Sequence, residues 1–254
     1  KRTAELIRPI LRGRDIKRYG YEWANLYLIA TFPARHYDIE KYPAVKKYLL
    51  SFAYDYLLAN GNEWVANSYL SEFCKQKLAQ TGQYITINGK YILDDKGNRE
   101  KSRKKTSNKW FETQDSISYW EDFSKPKIMY PNMTKYIPFY YDAKGFYQND
   151  KSFMITGAHI AFLASFLNSS LFKFCFLNSF PELQGGTREL RKIFFDKIPI
   201  IQVSDEINDR SVRFVIDMQN NQSNEIAKEI DGLIFDLYDL TKEGRDAIGF
   251  IEIQ

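Results

Sequence analysis

Residues 101–132 read KSRKKTSNKWFETQDSISYWEDFSKPKIMYPN and join a hydrophilic basic segment to an aromatic one. Between residues 99 and 109 there are six basic residues and one acidic residue, and the rest of the segment is Ser, Thr and Asn. We therefore expect a solvated, mobile cationic arm with no residue in a core. Such an arm suits a polyanion, because lysine and arginine neutralise phosphates and release counterions. The same pattern leaves open a basic loop that has no nucleic-acid partner.

The arm leads into a short apolar run at residues 127–130, which lies between Pro126 and Pro131. Proline cannot donate a ladder hydrogen bond, so it marks the ends of strands. The sequence therefore predicts a strand here, and a framework of this kind would hold the arm in register on a ligand.

Composition allows one large domain or two smaller ones, since the chain has 254 residues, 44% hydrophobic and 27% charged. The aromatic share of 16% favours sheet-rich packing and contact surfaces.

Cys74 and Cys175 are far apart and form no CxxC pair, which predicts free thiols in a reducing cytoplasm. Polar residues interrupt the apolar window 160–177, which predicts a core helix rather than a membrane span. Because the chain begins at Lys1 without Met, we expect a fragment of a longer protein.

Charge is distributed unevenly along the chain. Residues 204–254 hold 12 acidic and 5 basic residues, whereas residues 1–203 hold 20 and 31. The first four-fifths is therefore the part that we expect to face a polyanion. We predict a recognition domain over residues 1–203 with a C-terminal helical segment, 204–254, packed on it.

Hydrophobic periodicity predicts an α+β fold, with a mixed or antiparallel sheet, packed helices and a C-terminal helical hairpin. Asn88-Gly89 predicts a two-residue hairpin at 84–93, and residues 142–145 predict a second hairpin that joins 137–141 to 146–147. Further strands are predicted at 23–32 and 152–156. Helices are predicted at 39–60 (ended by Asn60-Gly61), 63–81, 159–177 (bent near Asn168), 188–195 and 212–218. The tail carries an apolar stripe of Ile226, Ile230, Leu233, Leu237 and Leu240.

Signals for covalent chemistry are weak. Asp94-Asp95-Lys96 fits half of a metal-dependent nuclease motif, but it lies in a turn beside Gly97, where Asp and Gly are ordinary turn residues. His36 and His159 have no second ligand at metal-binding spacing. The sequence contains no G-x-S-x-G, P-loop or G-x-G-x-x-G motif. Gly185-Gly186-Thr187 could present backbone N–H groups to a phosphate, or could act as a plain hinge.

Several segments in a fixed order resemble the C-terminal target-recognition domain of TaqI-like DNA adenine methyltransferases and type IIG restriction-modification enzymes. These segments are LIRPILRGRDIKRYGYEW, YLIATF, YPAVKKYLLSF, KWFE, FSKPKIMYP, FYQNDKSFMITG, AFLASFLNSSL, GGTRELRKIFFDKIPI and EIDGLIFDLYDLTKE. The resemblance covers nearly the whole chain and departs from the usual pattern at residues 62–108, where the chain looks expanded. It implies a phage-defence specificity module that binds double-stranded DNA, with the N-terminal methyltransferase domain of the parent chain as its partner. That preceding domain would bind S-adenosylmethionine, carry an Asn-Pro-Pro-Tyr motif that is absent here and flip the target adenine. Mg²⁺ is a second cofactor to consider for the parent, and the resemblance implies no cofactor in this fragment.

Candidate DNA contacts lie in three groups of basic and polar residues. They are Arg12, Arg14 and Lys17 in the first turn; Lys101, Arg103, Lys104, Lys105, Asn108 and Lys109 in the arm; and Gln184, Thr187, Arg188 and Arg191 at the glycine loop. Lysines are expected on phosphates, whereas arginines and neutral polar side chains are better suited to base edges. Two alternatives from other classes are a protein-interaction module with a solvated basic loop and a divergent Mg²⁺-dependent nuclease at Asp94 and Lys96.

Overall fold

The computed structural model describes residues 2–59 and 67–253. Within them, strands and helices are numbered in chain order. The strands are β1 (Ile7–Leu11), β2 (Ile16–Lys17), β3 (Gly20–Tyr21), β4 (Tyr27–Ile29), β5 (Thr86–Ile87), β6 (Lys90–Tyr91), β7 (Lys127–Pro131), β8 (Met133–Thr134), β9 (Tyr140–Asp142), β10 (Tyr147–Gln148), β11 (Ser152–Ile155) and β12 (Arg188–Glu189). The helices are α1 (Pro43–Ala59), α2 (Asn67–Leu78), α3 (Ile160–Leu167), α4 (Ser170–Ser179), α5 (Lys192–Phe195), α6 (Asp205–Asn220), α7 (Asn224–Leu237) and α8 (Lys242–Ile248). This content confirms the predicted α+β class.

The chain divides into two compact units. Unit 1 comprises Lys1–Arg8 and Leu28–Trp120, and unit 2 comprises Pro9–Tyr27 and Glu121–Gln254. The acidic tail thus lies in unit 2, where its helices α6 and α7 pack on a large hydrophobic cluster that includes Ile128, Phe139 and Phe166 and is called the main core below. The predicted domain division after residue 203 stays a prediction.

Unit 1 combines the helices α1 and α2 with a small hairpin. One of its cores gathers Leu57, Phe73 and Ile87 from these elements. In the hairpin, Ile87 pairs with Lys90, so Asn88-Gly89 is a two-residue turn, with φ of 49° and 73°. Positive φ at both positions is what a type I′ turn requires, and the predicted hairpin is confirmed. The predicted helix stop at Asn60-Gly61 and the predicted helix start at residues 63–66 lie outside the described residues.

The basic arm is less solvated than the sequence suggested. Ser102 is buried, and its hydroxyl contacts the Thr81 hydroxyl and accepts from the Gln83 N–H. The Arg103 guanidinium donates to three backbone carbonyls, those of Leu78 (2.6 Å), Trp110 (3.1 Å) and Glu112 (3.0 Å). Burial lowers the pKa of Arg103. The expectation that no arm residue would be buried was wrong, because a polar group can be buried where its hydrogen bonds are satisfied.

The central sheet of unit 2 is antiparallel, in the order β11-β7-β9, and every residue of β7 is buried. Separately, β1 pairs in parallel with β10, through Ile10 and Tyr147. The predicted strands at 127–130 and 152–156 and the mixed strand pairing are confirmed. The strand predicted at 23–32 is limited to Tyr27–Ile29.

The hairpin predicted at residues 137–147 was wrong. β9 pairs with β7, whereas β10 pairs with β1, so the two segments are not partners. Asp142 explains the change of direction, since its carboxylate accepts from the N–H groups of Lys144 (2.8 Å) and Phe146 (2.9 Å). When a side chain accepts hydrogen bonds from the N–H groups of a turn, those groups need no partner strand, and the two flanking segments can pair elsewhere.

The apolar window predicted as a bent helix is two helices, α3 and α4, which meet at 69°. At the bend, the Asn168 amide donates to the carbonyls of Phe139 (2.9 Å) and Ala164 (3.0 Å), and the Ser169 hydroxyl caps α4. In the described part of the chain no single helix is long and apolar enough to cross a membrane, and only this bent pair together meets the length and composition criteria.

The tail forms the predicted helical hairpin, with Ser204 capping α6 and Ser223 capping α7. The buried face of α7 differs from the predicted stripe: it consists of Ala227, Ile230, Asp231, Ile234 and Phe235. Of the predicted stripe, Ile230 is buried and Ile226 and Leu233 are half-buried against the same core, so the stripe was right in part and the buried face extends to Ala227, Ile234 and Phe235. An a/d spacing of 3.5 follows a coiled-coil seam, but α7 packs as an ordinary helix with a wider face.

Candidate nucleic-acid interface

A large groove of about 1640 Å³ lies within unit 2. It is lined by the turn that connects β1 to β3, the segment from Pro131 to Pro138, parts of α4 and α6, and the C-terminal residues Ile251 to Ile253. Among the described residues that line it, seven are cationic and three are acidic; the cations are Arg14, Lys17, Arg18, Lys135, Lys144, Lys151 and Lys173. A groove of this size and charge exceeds an ordinary small-molecule pocket and suits a segment of a polyanion.

The first turn positions Arg14 at the groove. Gly13 makes a close approach possible, because a Cβ there would lie 2.2 Å from the Lys151 carbonyl oxygen. Arg12 points instead to the buried Asp15 and donates to both carboxylate oxygens (2.7 and 2.9 Å). Burial alone would raise the pKa of Asp15, but the hydrogen bonds from Arg12 outweigh it and the pKa is lowered. Arg12 therefore fixes the turn, and Arg14 is exposed.

The other groove cations differ in how firmly they are held. Lys17 forms a loose ion pair with Glu22 (3.4 Å), and Lys144 donates to the Tyr21 hydroxyl (3.0 Å). The Arg18 guanidinium is bound by the backbone, since it donates to the carbonyls of Asn168, Ile251 and Glu252.

Lys135 and Lys173 are exposed, and within residues 2–59 and 67–253 their ammonium groups form no hydrogen bond or ion pair. An ammonium without a protein partner is the group that can neutralise a ligand phosphate without losing an existing bond.

The groove also carries exposed apolar side chains. Tyr136 is 71% exposed, Met133 53%, Leu177 51% and Ile216 44%. Four such side chains among cations make the surface amphipathic, which is typical of a binding surface.

The glycine loop connects to this groove through a strand pair. β12 pairs with β8, so that Arg188 lies opposite Thr134 and Glu189 opposite Met133. The predicted basic helix at residues 188–195 begins only at Lys192, because residues 188–189 are engaged as a strand.

The candidate side chains of this loop are held to different degrees. Arg188 donates to the Phe180 carbonyl (2.6 Å) and pairs with Glu182 (3.1 Å), whereas Arg191 pairs with Glu189 (2.8 Å) and stays 60% exposed. The Thr187 hydroxyl donates to the Gln184 carbonyl (3.2 Å), and the Gln184 side chain is exposed. Of these residues, Arg191 and Gln184 are the most available to a ligand.

Unit 1 has a separate basic surface on and beside its hairpin. The Arg99 guanidinium lies 4.0 Å from the centroid of the Tyr91 ring, and the Lys101 ammonium 4.7 Å from that of Tyr84. Both tyrosines are nearly half exposed, and Lys104, Lys105 and Lys109 are exposed. Stacking on an aromatic face orients a cation while leaving its N–H groups for a ligand.

In the arm, the Asn108 side chain is held by hydrogen bonds to the backbone. Its amide nitrogen donates to the carbonyls of Thr113 (2.9 Å) and Gln114 (2.9 Å). Both donor hydrogens are thus used, and only the carboxamide oxygen could meet a base edge.

The structure brings Arg14 and Lys17 into one groove. Arg188 is connected to it through β12, in which the neighbouring Glu189 lines the groove, and Arg191 lies two residues after that strand. Sequence reasoning missed Lys135, Tyr136 and Lys173. A signal for the first two was present, since Lys135-Tyr136 lies in the short polar segment between the 127–130 strand and the apolar run that begins at Ile137. Nothing in the apolar window 160–177 indicated that Lys173 would line a groove.

Asp94 has the turn role that the sequence allowed, since its carboxylate accepts from the N–H groups of Lys96 (2.9 Å) and Asn98 (2.8 Å). These bonds lower its pKa. In the described ranges no group of three or more His, Cys, Asp or Glu side chains is placed to hold a metal ion. His159 contacts Asp205 (3.0 Å). Cys74 and Cys175 form no disulfide in the described residues; Cys74 is buried and its thiol donates to the Leu50 carbonyl (2.9 Å), and Cys175 is half-buried.

Comparison with known proteins gives one family. None of the curated protein sequences matches the chain. The profile of the TaqI-like C-terminal specificity domain matches residues 8–200, which is about three-quarters of the chain and includes the residues that line the groove except those of α6, Gln222 and the C-terminal residues. The chain therefore belongs to the family of TaqI-like C-terminal specificity domains.

Proposed function

We propose that this chain is the DNA sequence-recognition module of a type IIG restriction-modification enzyme with DNA adenine methyltransferase activity. In that role it would hold double-stranded DNA in register for a catalytic domain outside this chain. The family supports a specificity module, and the cation-lined groove of unit 2 is the single observation that carries the proposal of a polyanionic ligand.

The groove cations would supply affinity. Lysines that neutralise phosphates bind any sequence alike, because the DNA backbone is the same everywhere. We assign this role to Arg14, Lys17, Lys135 and Lys173, and on unit 1 to the exposed lysines Lys101, Lys104, Lys105 and Lys109.

Residues near the glycine loop would supply specificity. Arg191 is exposed and ends in a guanidinium that can pair with guanine O6 and N7, and Gln184 can pair with adenine N6 and N7. Thr187, Arg188 and Asn108 remain proposed contacts, although each already makes a hydrogen bond within the protein. Arg12 and Arg103 remain proposed contacts, and to reach DNA their guanidinium groups would have to leave Asp15 and the backbone carbonyls that bind them.

The catalytic chemistry is proposed for the parent protein. S-adenosylmethionine, and Mg²⁺ if the parent also cleaves DNA, would bind outside this chain, and the methyltransferase domain would be its partner. We propose a cytoplasmic location and a role in phage defence on the same basis.

A second candidate is a protein-interaction module, and the exposed apolar side chains Met133, Leu177 and Ile216 at the groove favour it. A protein ligand would bury these side chains, and its binding would depend little on salt. DNA binding would depend steeply on salt.

Titration of fluorescent duplex DNA with the 254-residue chain at several salt concentrations tests the proposal. Replacing Arg14, Lys135 and Lys173 with alanine should weaken binding to every duplex and reduce the slope of log affinity against log salt by about 0.9 for each lost contact. The matched control replaces Lys197, Lys228 and Lys242, three exposed lysines of unit 2 that do not line the groove. Equal affinities and slopes for the two triple variants would show that the groove does not bind DNA.

A further inference from the structure

Tyr136 has the highest exposed fraction of the large apolar side chains in the described part of the chain, at 71%. It lines the groove beside Lys135 and lies between the half-buried Thr134 and the buried Ile137. An exposed aromatic ring costs free energy in water that is recovered only when a ligand covers it.

The backbone on both sides of Tyr136 is fixed. The Thr134 hydroxyl donates to the Tyr136 carbonyl (2.6 Å) and accepts from the Tyr136 N–H (3.0 Å). Before this loop, Met133 and Thr134 pair with Glu189 and Arg188 in β12, and after it Ile137 is packed in the main core. The backbone that carries the ring is therefore pre-organised, and a ligand has to order only the side chain of Tyr136.

The surroundings of the ring define the chemistry of that ligand. Lys135 precedes it in the chain, and Arg14, Lys17 and Lys173 line the same groove. These cations attract a polyanion, but a neutral phenol ring offers a phosphate no charge. The part of a nucleic acid that suits an aromatic ring is the face of a base.

The faces of bases are covered in an intact duplex. An aromatic ring can reach the face of a base only where two stacked base pairs have separated or a base has left the stack. Separating a base step in this way costs a few kcal/mol. Pyrimidine–purine steps open at the lowest cost. An aromatic side chain that stacks on an opened step therefore favours particular sequences without reading the edges of the bases.

We propose that Tyr136 stacks on an unstacked base of the bound DNA and contributes to sequence choice through the deformability of that step. This inference rests on the proposed function, since it takes the groove of unit 2 as the DNA site. It adds a stacking residue to the charged contacts and implies that the bound duplex is distorted beside Tyr136.

The test uses duplexes that the chain itself enriches from a randomised library, with 2-aminopurine placed at each position in turn. Its fluorescence rises when the base leaves the stack. We expect one position at which the parent chain changes this fluorescence, and we expect Tyr136→Ala to abolish the change and to weaken binding about 5- to 150-fold. Tyr136→Phe keeps the ring and should retain both properties.

Phe174→Ala is the matched control, because Phe174 is an exposed aromatic residue of unit 2 (47%) that does not line the groove. It should bind like the parent chain. Since Tyr136 is mostly exposed, Tyr136→Ala should keep the thermal midpoint of the parent, which separates a lost contact from a lost fold. A mismatch introduced at the responding step should tighten binding by the parent chain and have a smaller effect on Tyr136→Ala, because the cost of opening has already been met.

Unchanged affinity and an unchanged fluorescence profile in Tyr136→Ala would overturn the stacking role. The proposed function would survive that result, because it depends on the Arg14, Lys135 and Lys173 variant. If the triple variant bound DNA like its control, the groove would not be the DNA site and both proposals would fail.

Discussion

The buried ion pair between Lys127 and Asp142 gives the sharpest stability prediction. Both side chains are 0% exposed, and the Lys127 ammonium also donates to the Phe123 carbonyl (2.7 Å). The Asp142 carboxylate bonds the lysine and the two turn N–H groups of Lys144 and Phe146. The perturbations are Lys127→Met, Asp142→Asn and the double variant.

The size of each effect follows from the charge that is left behind. Lys127→Met leaves a buried carboxylate without its cation, and Asp142→Asn leaves a buried ammonium without its anion. Breaking a buried pair from one side costs about 3–5 kcal/mol of unfolding free energy. In the double variant no charge is left, and asparagine can still accept from one of the turn N–H groups. We therefore expect it to lie within about 2 kcal/mol of the parent chain.

Urea denaturation followed by far-UV circular dichroism would measure the unfolding free energy of the four proteins. Hydrogen exchange of peptides from β7 and β9 would show that unit 2 is the part affected. Strong non-additivity is the expected result of the double-mutant cycle. If the costs of the two single variants simply added in the double variant, the penalty would not come from an unpaired buried charge, and the reasoning would be refuted.

Two further predictions concern unit 2. Gly13→Ala should destabilise the fold by about 1–3 kcal/mol in thermal or urea unfolding, because the new methyl group would meet the Lys151 carbonyl; Gly232→Ala is the control, and its open surroundings on α7 predict a gain of up to about 1 kcal/mol. Burial raises the pKa of Asp231 against the hydrogen bonds from Ser170. The folded state therefore holds this proton longer than the unfolded state, so its contribution to stability should fall as pH rises from the ordinary aspartate pKa through the raised one. Asp231→Asn should remove this part of the pH dependence, and an unchanged pH profile of the unfolding free energy would contradict the assignment.

Local signals in the sequence predicted the elements that local chemistry determines. The Asn88-Gly89 hairpin, the strand at residues 127–130 and the bend at Asn168 each depend on residues that are neighbours in the chain. The predicted 137–147 hairpin was wrong because β9 and β10 pair with strands that are distant in sequence.

The candidate site was predicted only in part for a similar reason. A basic residue gives the same signal in the sequence whether its charged group faces solvent or is bound by backbone carbonyls, as the Arg103 guanidinium is. Lys173 lies in an apolar helix, and only the packing of α4 places it at the groove. Charge counts identify a basic region, but tertiary contacts decide which of its cations can meet a ligand.

The division of the chain into two units affects the order in which they can form during synthesis. Unit 2 needs Pro9–Tyr27, which are made before residues 28–120, together with Glu121–Gln254, which are made after them. Unit 1 has all its residues once Trp120 has been made, including Leu6, which is fully buried in one of its cores. On the ribosome, unit 1 can therefore fold while the first strand of unit 2 still waits for its partner β10. For the same reason, a chimaera that exchanges unit 1 between relatives has to carry residues 1–8 as well as 28–120, because a replacement of 28–120 alone would leave Leu6 facing a foreign core.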